Sequence, residues 1–373
     1  MRMLKLSRVY IIAALTAVML TGCGQKTEVK EEAPAAPVTE KVEAVQEETV
    51  EAEVKKTLVV DGIDYLSAEG LELQPGTEIA MVAINSENPF FQTVKSGALK
   101  AVEDLNTQLG YTGKDKVKFS FDAAKGEDVI EQINIIDQFL DKAPDALCIA
   151  FTDASACKTQ MDMAKNNGIK TIAFDTADDS GLTETIVATD NQAAARAAAQ
   201  KMYEAIGYDG KIAILVHNSL TQTGQLRKQA IIDEMTENYN DKNIQFVEIV
   251  YTAQEERSET EILSELLDNY EDLAGIICTD LETTEMVIDY AKKAGGLEQK
   301  VVGFDTSEKI ISEVGGLLAG TMSQDPYSMG YATVIAAARS AAGMGNPENI
   351  ESAHVWIDAS NLQSEEVQDV LNY

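Results

Sequence analysis

The chain has 373 residues, with 62 acidic against 30 basic side chains and a formal net charge of −32 at pH 7. This charge repels phosphate backbones and anionic lipid headgroups, which argues against nucleic acid as a partner and against a membrane contact made by the protein surface. Four cysteines without a CxxC pair, together with two histidines, give no pattern for a metal or redox site, so we expect no metal and no cofactor.

The first 22 residues have the layout of a secretory signal peptide. Arg2, Lys5 and Arg8 precede an apolar run that is too short to cross a bilayer as a helix. The run ends at Leu-Thr-Gly before Cys23, which resembles a bacterial lipobox whose cysteine receives lipid, palmitate included, and becomes the mature N-terminus. We therefore expect residues 1–22 to be removed and Cys23 to hold the exported protein at the outer face of the cell membrane or in the periplasm. The alternative is an ordinary signal peptide followed by a chance cysteine.

Residues 23–56 form a predicted disordered tether. The stretch after Cys23 contains nine Glu, five Lys and no aromatic residue, so it has too little apolar area to offset the entropy of ordering its backbone. An amphipathic or coiled helix is a weaker alternative, because Pro34 and Pro37 interrupt its start. Residues 57–77 follow as a short extension, whose run Leu58–Val60 is a candidate edge strand.

In the body of the chain, short apolar runs alternate with longer segments of helical period. The runs are 79–84, 117–121, 146–151, 170–175, 212–217, 245–251, 274–279 and 301–304. Nearly continuous apolar character is typical of parallel strands that helices cover on both faces. Because about 300 ordered residues exceed what one hydrophobic core usually organises, the pattern predicts an α/β fold of two doubly wound parallel-sheet lobes. Periodicity leaves a TIM barrel open as the alternative.

Polar and aromatic side chains follow several of these strands directly. In open parallel sheets, ligands bind beyond the carboxyl ends of the strands. The first strand leads into Asn88-Pro89-Phe90-Phe91, and later strands lead into Asp175, Asp280 and Asp305. These residues are therefore candidates for a binding site, although an Asp at this position is also the commonest kind of helix N-cap, and for each Asp the two explanations stay open.

Four motifs in order resemble the type 1 periplasmic binding proteins of the ribose and galactose group. They are Ile79–Val82 with the Asn-Pro-Phe-Phe segment, Ala188–Asn191, Val302–Asp305 and Thr321–Gln324. The resemblance implies an N-terminal lobe of residues 78–189 plus 325–350 and a C-terminal lobe of residues 190–324 plus 351–373. It also implies that three crossover strands form a hinge between the lobes.

The resemblance places eight residues at the ligand. They are Asn88, Phe90, Phe91, Asp175, Arg227, Asp280, Asp305 and Gln324. Thr176 stands where the ribose-type pattern has an arginine, and Asp280 stands where many relatives have asparagine, so no particular sugar is implied. Three carboxylates against Arg227 suit a neutral polyhydroxylated or weakly basic ligand. A solvated helix arginine is the alternative for Arg227.

The resemblance implies a monomeric protein without catalytic residues. It would capture a sugar-like ligand by hinge closure and deliver it to the permease of an ABC importer. Two alternatives stay open: a receptor module that reports its ligand to a sensor kinase or chemotaxis system, and an exported glycoside-active enzyme that uses the strand-end carboxylates.

Overall fold

The computed structural model describes residues 56–176, 181–254 and 257–371. The predicted signal peptide, the lipidation site at Cys23 and the tether up to residue 55 lie outside these ranges. The strands are β1 Val59–Val60, β2 Ile63–Asp64, β3 Glu78–Ala83, β4 Lys118–Ala123, β5 Ala146–Ile149, β6 Lys170–Phe174, β7 Thr185–Thr189, β8 Asp209–Val216, β9 Asn243–Tyr251, β10 Leu273–Cys278, β11 Lys300–Phe304, β12 Leu318–Gln324, β13 Asn349–Ser352 and β14 His354–Ile357. The helices are α1 Pro89–Leu109, α2 Val129–Leu140, α3 Lys158–Asn166, α4 Asn191–Ala205, α5 Gln222–Asn238, α6 Glu259–Asn269, α7 Leu281–Ala294, α8 Glu308–Glu313, α9 Pro326–Ala341 and α10 Glu365–Leu371.

Two six-stranded sheets organise the two lobes. The N-terminal lobe is called lobe 1 below, and the C-terminal lobe is called lobe 2. The sheet of lobe 1 has the order β13-β7-β6-β5-β3-β4, and its strand pairs are all parallel. The sheet of lobe 2 has the order β14-β12-β11-β10-β8-β9, with β14 antiparallel to β12 and the other pairs parallel. The predicted two-lobed α/β fold is therefore correct, and the TIM barrel is excluded because neither sheet closes on itself.

Helices cover both faces of each sheet. In β3 the side chains of Ile79 and Met81 enter the core beneath α1 and α9, whereas Ala80 and Val82 enter the core beneath α2 and α3. Successive side chains of a strand point to opposite faces, so a strand buried on both sides must be apolar at every position. The same arrangement recurs in lobe 2, with α4 and α5 on one face and α6 and α7 on the other. This is why the strands read as continuous apolar runs.

The first two strands make a small hairpin outside both sheets. β1 pairs with β2 in an antiparallel two-stranded ladder, so the expectation that Leu58–Val60 adds an edge strand to a main sheet is wrong. The segment is nevertheless fixed to lobe 1, because Tyr65 is fully buried and its hydroxyl donates to Asn346 Oδ1 at 3.1 Å. Leu71 and Leu73 join the same core.

Close packing of α1 against α9 depends on two glycines. A Cβ atom added to Gly97 would lie 1.9 Å from the carbonyl oxygen of Tyr327, and one added to Gly330 would lie 1.9 Å from the carbonyl oxygen of Val94. Each glycine therefore allows the opposite helix backbone to approach to a distance that a side chain would prevent.

The chain passes between the lobes three times. It crosses from β7 to α4, from β12 back to α9, and from β13 to β14. The first two passages lie at residues 189–191 and 324–326. The third lies at Ala353, because Ser352 still pairs with Thr189 in the sheet of lobe 1 while His354 pairs with Gln324 in the sheet of lobe 2.

Within the described ranges, the search for a helix with the length and hydropathy of a membrane span finds none. Over the same residues, no group of three or more His, Cys, Asp and Glu side chains is arranged to hold a metal ion. Cys148, Cys157 and Cys278 are buried free thiols.

Candidate ligand-binding site

A narrow cavity of about 60 Å³ lies where the carboxyl ends of the two sheets face each other. Each sheet reverses its strand order there, between β3 and β5 in lobe 1 and between β8 and β10 in lobe 2. Such switch points are the usual ligand positions of doubly wound folds. The cavity wall includes all eight residues that the sequence places at the ligand: Asn88, Phe90, Phe91, Asp175, Arg227, Asp280, Asp305 and Gln324.

The Asn-Pro-Phe-Phe segment forms the start of α1. Asn88 caps this helix, with Oδ1 accepting from the backbone N–H of Phe90 at 2.8 Å, and Pro89 occupies the first turn, where a missing N–H carries no penalty. The rings of Phe90 and Phe91 meet edge to face with centroids 5.2 Å apart, and both line the cavity. Both rings are also buried in the hydrophobic core of lobe 1, so the start of α1 forms core and cavity wall at once.

Asp175 follows β6 in a left-handed backbone conformation with φ of 58°, which is uncommon for residues other than glycine. Its side chain is 9% exposed and, within the described ranges, its carboxylate has no hydrogen-bond partner. Burial raises the pKa of Asp175 to about 7, while the charge of Arg227 opposes the rise and Asp305 and Glu127 add to it. The structure thus holds a buried carboxyl group without a partner against the cavity.

Arg227 reaches the cavity from α5 and is only 4% exposed, so it is not the solvated helix arginine of the alternative explanation. Its Nε donates to Asn191 Oδ1 at 2.7 Å, and Nη1 donates to the carbonyl oxygen of Thr279 at 2.8 Å. The guanidinium lies 4.0 Å from the centroid of the Phe304 ring, a cation–π arrangement. Nη2 is buried and has no hydrogen-bond partner in the part of the chain that the structure describes, which leaves one charged donor for a ligand.

Asp280 and Asp305 have different local roles. Asp280 caps α7, since its Oδ1 accepts from the backbone N–H of Thr283 at 2.9 Å, while Oδ2 accepts from the backbone N–H of His217 at 3.1 Å. Asp305 is not the cap of the helix that follows it, because Ser307 caps α8. Asp305 Oδ2 instead accepts from the backbone N–H of Leu281 at 3.0 Å. The N-cap explanation therefore holds for Asp280 and fails for Asp305.

Asp305 is linked to the passages between the lobes. Its Oδ1 accepts from Gln324 Nε2 at 2.6 Å, and Gln324 Oε1 accepts from the hydroxyl of Thr189 at 2.8 Å. The same hydroxyl lies 3.4 Å from that of Ser352. Thr189, Gln324 and Ser352, one residue from each passage, are named the crossover cluster below. All three are buried, so the cavity wall and the hinge share one hydrogen-bond network.

A scan of the chain against family models matches residues 79–345 to the periplasmic binding protein domain. The chain belongs to this family. Among curated proteins, it is 24% identical to the ribose import binding protein RbsB of Bacillus subtilis over 244 residues, which cover 65% of this chain and 74% of RbsB. It is also 24% identical to a D-ribose/D-allose-binding protein of Pseudomonas aeruginosa over 253 residues, or 66% of this chain and 76% of that protein.

Solved structures show the same fold. A carbohydrate transporter solute-binding protein of Agrobacterium radiobacter, in complex with D-arabinose, superposes with a TM-score of 0.71 at 24% identity and covers 79% of this chain and 99% of its own. The glucose-galactose-binding protein GanP of Geobacillus stearothermophilus gives a TM-score of 0.69 at 20% identity, with 77% and 99% covered. The fold is that of a type 1 periplasmic binding protein.

The cavity wall of this periplasmic binding protein also contains residues that the sequence did not single out, among them Glu127, His217, Asn218 and Glu282. Three of them join the lobes, because Asn218 Nδ2 donates to Glu127 Oε2 at 2.9 Å and His217 Nε2 lies 3.5 Å from the same oxygen. Glu282 Oε1 accepts from Asn88 Nδ2 at 2.5 Å, which makes another contact between lobes. The lobes therefore meet directly across the cavity.

The contacts between the lobes, together with burial, shift the pKa values of His217, Glu127 and Glu282. Burial alone lowers the pKa of His217, but the hydrogen bond with Glu127 and the nearby charge of Asp280 raise it to about 9. Burial acts to raise the pKa of Glu127, yet the bonds from His217 and Asn218 bring it below the ordinary value. His217 and Glu127 are thus a charged pair at neutral pH. Burial, and after it the charge of Asp280, raise the pKa of Glu282.

The sequence contains a signal for two of these four residues, His217 and Asn218. His217 and Asn218 directly follow β8, so the strand-end rule that selected Asp175 applies equally to them. Glu127 lies in the loop before α2, and Glu282 lies in the first turn of α7. Neither position is next to a strand, and only the docking of the lobes brings these two to the cavity.

Proposed function

We propose that the chain is an extracytoplasmic solute-binding protein that captures a sugar or a similar polyhydroxylated small molecule between its lobes and delivers it to an ABC importer. The observation that carries the proposal is the convergence at one cavity of Arg227, Asp175 and the rings of Phe90 and Phe91, where Arg227 Nη2 and the carboxyl group of Asp175 have no hydrogen-bond partner among the described residues. Hydroxyl groups both donate and accept, and the C–H faces of sugars stack on rings, so a polyol matches this surface.

The relatives support the same ligand class. By name, one relative imports ribose and another binds D-ribose or D-allose. One neighbour in fold holds D-arabinose, and another is a glucose-galactose-binding protein. A micromolar sugar corresponds to about −8 kcal/mol of binding free energy, which several charge-assisted hydrogen bonds and ring stacking can supply.

Capture proceeds by hinge closure in this proposal. Direct contacts between lobes, among them Asn88 with Glu282 and Asn218 with Glu127, cross the cavity, and a ligand enters when the lobes separate and these contacts open. Three short passages between the lobes allow such a rotation. The closed form then presents a surface composed of both lobes to the permease of the importer. The protein acts as a monomer and returns its ligand chemically unchanged.

The proposal includes a lipid anchor on Cys23 after removal of residues 1–22. Its support is the order of basic start, apolar run and lipobox in the sequence. In cells supplied with labelled palmitate, the wild-type protein is expected to carry label and to sediment with membranes. A Cys23→Ala variant is expected to carry none, and labelling of that variant would contradict the anchor.

A thermal-shift screen tests the ligand class. The purified protein is heated with sugars, polyols and nucleosides. Any compound that binds only the folded form raises the melting temperature, because it adds about 2.7 kcal/mol to the free energy of unfolding at a hundredfold excess over Kd. At least one sugar or polyol is expected to give a shift and to be recovered intact. A shift with none of them refutes the ligand class, and recovery of a hydrolysed product refutes the binding-protein function. Loss of cellular uptake of the same compound on deletion of the gene tests delivery.

A further inference from the structure

The charges that face the cavity are unbalanced. The acidic side chains in its wall are Glu127, Asp175, Asp280, Glu282 and Asp305. The cationic side chains in the same wall are Arg227 and His217. Like charges packed in a desolvated space repel one another strongly. Any ligand that fills the cavity removes water and so strengthens this repulsion, unless the ligand itself contributes positive charge.

Four of the five acids already have partners within the protein. Glu127 pairs with His217 and accepts from Asn218, and Glu282 accepts from Asn88. Asp280 and Asp305 accept from backbone N–H groups at the start of α7. These acids are held in place by hydrogen bonds from donors within the protein. They do not require a ligand.

Asp175 is the exception. Among the residues that the structure describes, none donates a hydrogen bond to its carboxylate, although the side chain is more than nine-tenths buried. The charged groups that act on it are Arg227, Asp305 and Glu127. Arg227 directs Nε and Nη1 to other acceptors, and Glu127 and Asp305 carry the same sign as Asp175. A buried acid in this position gains most from a cation.

Arg227 Nη2, which has no partner among the described residues, indicates a second property of the ligand. Nη2 is buried and without a hydrogen-bond partner within the described ranges, and its natural partner is an uncharged oxygen, since an anionic ligand would face the five acids. The cavity wall is therefore complementary to a molecule that has a hydroxyl or ring oxygen near Arg227 and a positive charge near Asp175.

We propose that the ligand carries a protonated amino group that pairs with Asp175, and that its hydroxyl groups meet the open donor of Arg227. The ligand class is an amino sugar or an amino alditol rather than a neutral sugar. This inference rests on the proposed function, because it concerns the same cavity. The rings of Phe90 and Phe91 line the cavity and suit an amino sugar as well as a neutral one, because a sugar contacts aromatic rings through its C–H groups.

Matched ligand sets test the charge directly. Calorimetric titration of the purified protein uses galactose, galactosamine and N-acetylgalactosamine, the corresponding glucose set, and sorbitol with 1-amino-1-deoxysorbitol. At least one amine is expected to bind about tenfold or more tightly than its neutral and acetylated counterparts, as a charge-assisted contact predicts. Equal or tighter binding of the neutral members overturns the amine assignment and leaves the proposed function standing. Binding of no member overturns the amine assignment, while the proposed function then stands or falls on the thermal-shift screen.

A variant and a pH series tie the preference to Asp175. Asp175→Asn keeps the shape of the side chain and removes its charge, so the preference for the amine is expected to fall to about threefold or less. Asp268→Asn, at an exposed position of α6, is the matched control and is expected to keep the full preference. An Asp175→Asn protein that melts like wild type and retains the preference overturns the proposal.

The sign of the pH dependence follows from Asp175 being the partner. Its pKa is raised to about 7 in the free protein, and a bound ammonium lowers it again, so binding the amine releases a proton at or below neutral pH. Affinity for 1-amino-1-deoxysorbitol, whose aliphatic ammonium stays charged over this range, is therefore expected to rise from pH 6 to pH 8. The rise is expected to be smaller in Asp175→Asn, where only Glu282, whose pKa burial raises to about 8, still loses a proton in this range. Affinity that is flat or falls across the same interval overturns the assignment.

Discussion

Replacing Arg227 with lysine tests the arrangement of the guanidinium and not merely its charge. In the structure, Arg227 makes two hydrogen bonds, at 2.7 Å to Asn191 and 2.8 Å to Thr279, and its buried Nη2 has no hydrogen-bond partner among the described residues. A lysine ammonium cannot reproduce a planar fork. It can retain one internal bond, and it then has no donor fixed in the direction of the ligand.

The magnitude follows from the bonds that are lost. Hydrogen bonds to charged groups contribute about 1.5–3 kcal/mol each. Loss of one internal bond in Arg227→Lys is therefore expected to lower the free energy of unfolding by that amount. Loss of the bond to the ligand raises Kd by about 10- to 150-fold, at 1.4 kcal/mol per factor of ten. Both quantities are measurable, the first by denaturant titration and the second by calorimetry with the sugar selected in the thermal-shift screen.

Arg339 provides a matched control in lobe 1. Its Nε donates to Asn346 and its Nη2 to the carbonyl oxygen of Gly345, and its guanidinium lies 5.8 Å from the centroid of the Tyr65 ring. Arg339→Lys is expected to lower stability in the same way and to leave Kd unchanged, because Arg339 is absent from the cavity wall. The reasoning is refuted if Arg227→Lys binds the ligand within about threefold of wild type, or if Arg339→Lys weakens binding equally.

Three further predictions concern the hinge, the helix contact and pH. Thr189→Val removes the donor to buried Gln324 Oε1, so the free energy of unfolding measured in urea should fall by about 1–3 kcal/mol; an unchanged value would argue against the crossover cluster. Gly330→Ala places a Cβ 1.9 Å from the backbone of α1, so we expect the free energy of unfolding to fall by about 1–3 kcal/mol or more. The control Gly345→Ala places its Cβ in open space and should melt like wild type. His217 has a folded pKa of about 9, above the unfolded value of about 6.5, so its contribution to stability is complete below the unfolded value and is lost as pH rises through 9. His217→Gln should remove that part of the pH dependence, and an identical profile in the variant would count against the Glu127 pair.

Local sequence patterns predicted most strands of the two main sheets. The runs predicted as strands correspond to β3, β4, β5, β6, β8, β9, β10 and β11, because a strand buried on both faces must be apolar throughout. The hairpin at Val59–Asp64 and the strands β13 and β14 gave weaker signals. These strands are short, and β13 and β14 alternate buried and more exposed side chains, so their sheet membership depends on contacts distant in sequence.

The site was predictable where a side chain follows a strand. Asp175, Asp280 and Asp305 lie at strand ends, and the carboxyl ends of parallel strands meet at one edge of each sheet. Whether such an Asp caps a helix or faces the cavity could not be decided locally, and Asp280 does both. Glu127 and Glu282 were out of reach because their approach depends on how two separately folded sheets dock.

The most direct test of capture between the lobes is a crystal structure of the protein with the sugar, polyol or amino sugar that gives the largest thermal shift. The ligand is expected between the two sheets, with its ring or chain against Phe90, an oxygen within hydrogen-bond distance of Arg227 Nη2, and a donor on Asp175. A ligand bound on an outer face of either lobe, with this cavity unaltered, would contradict the account.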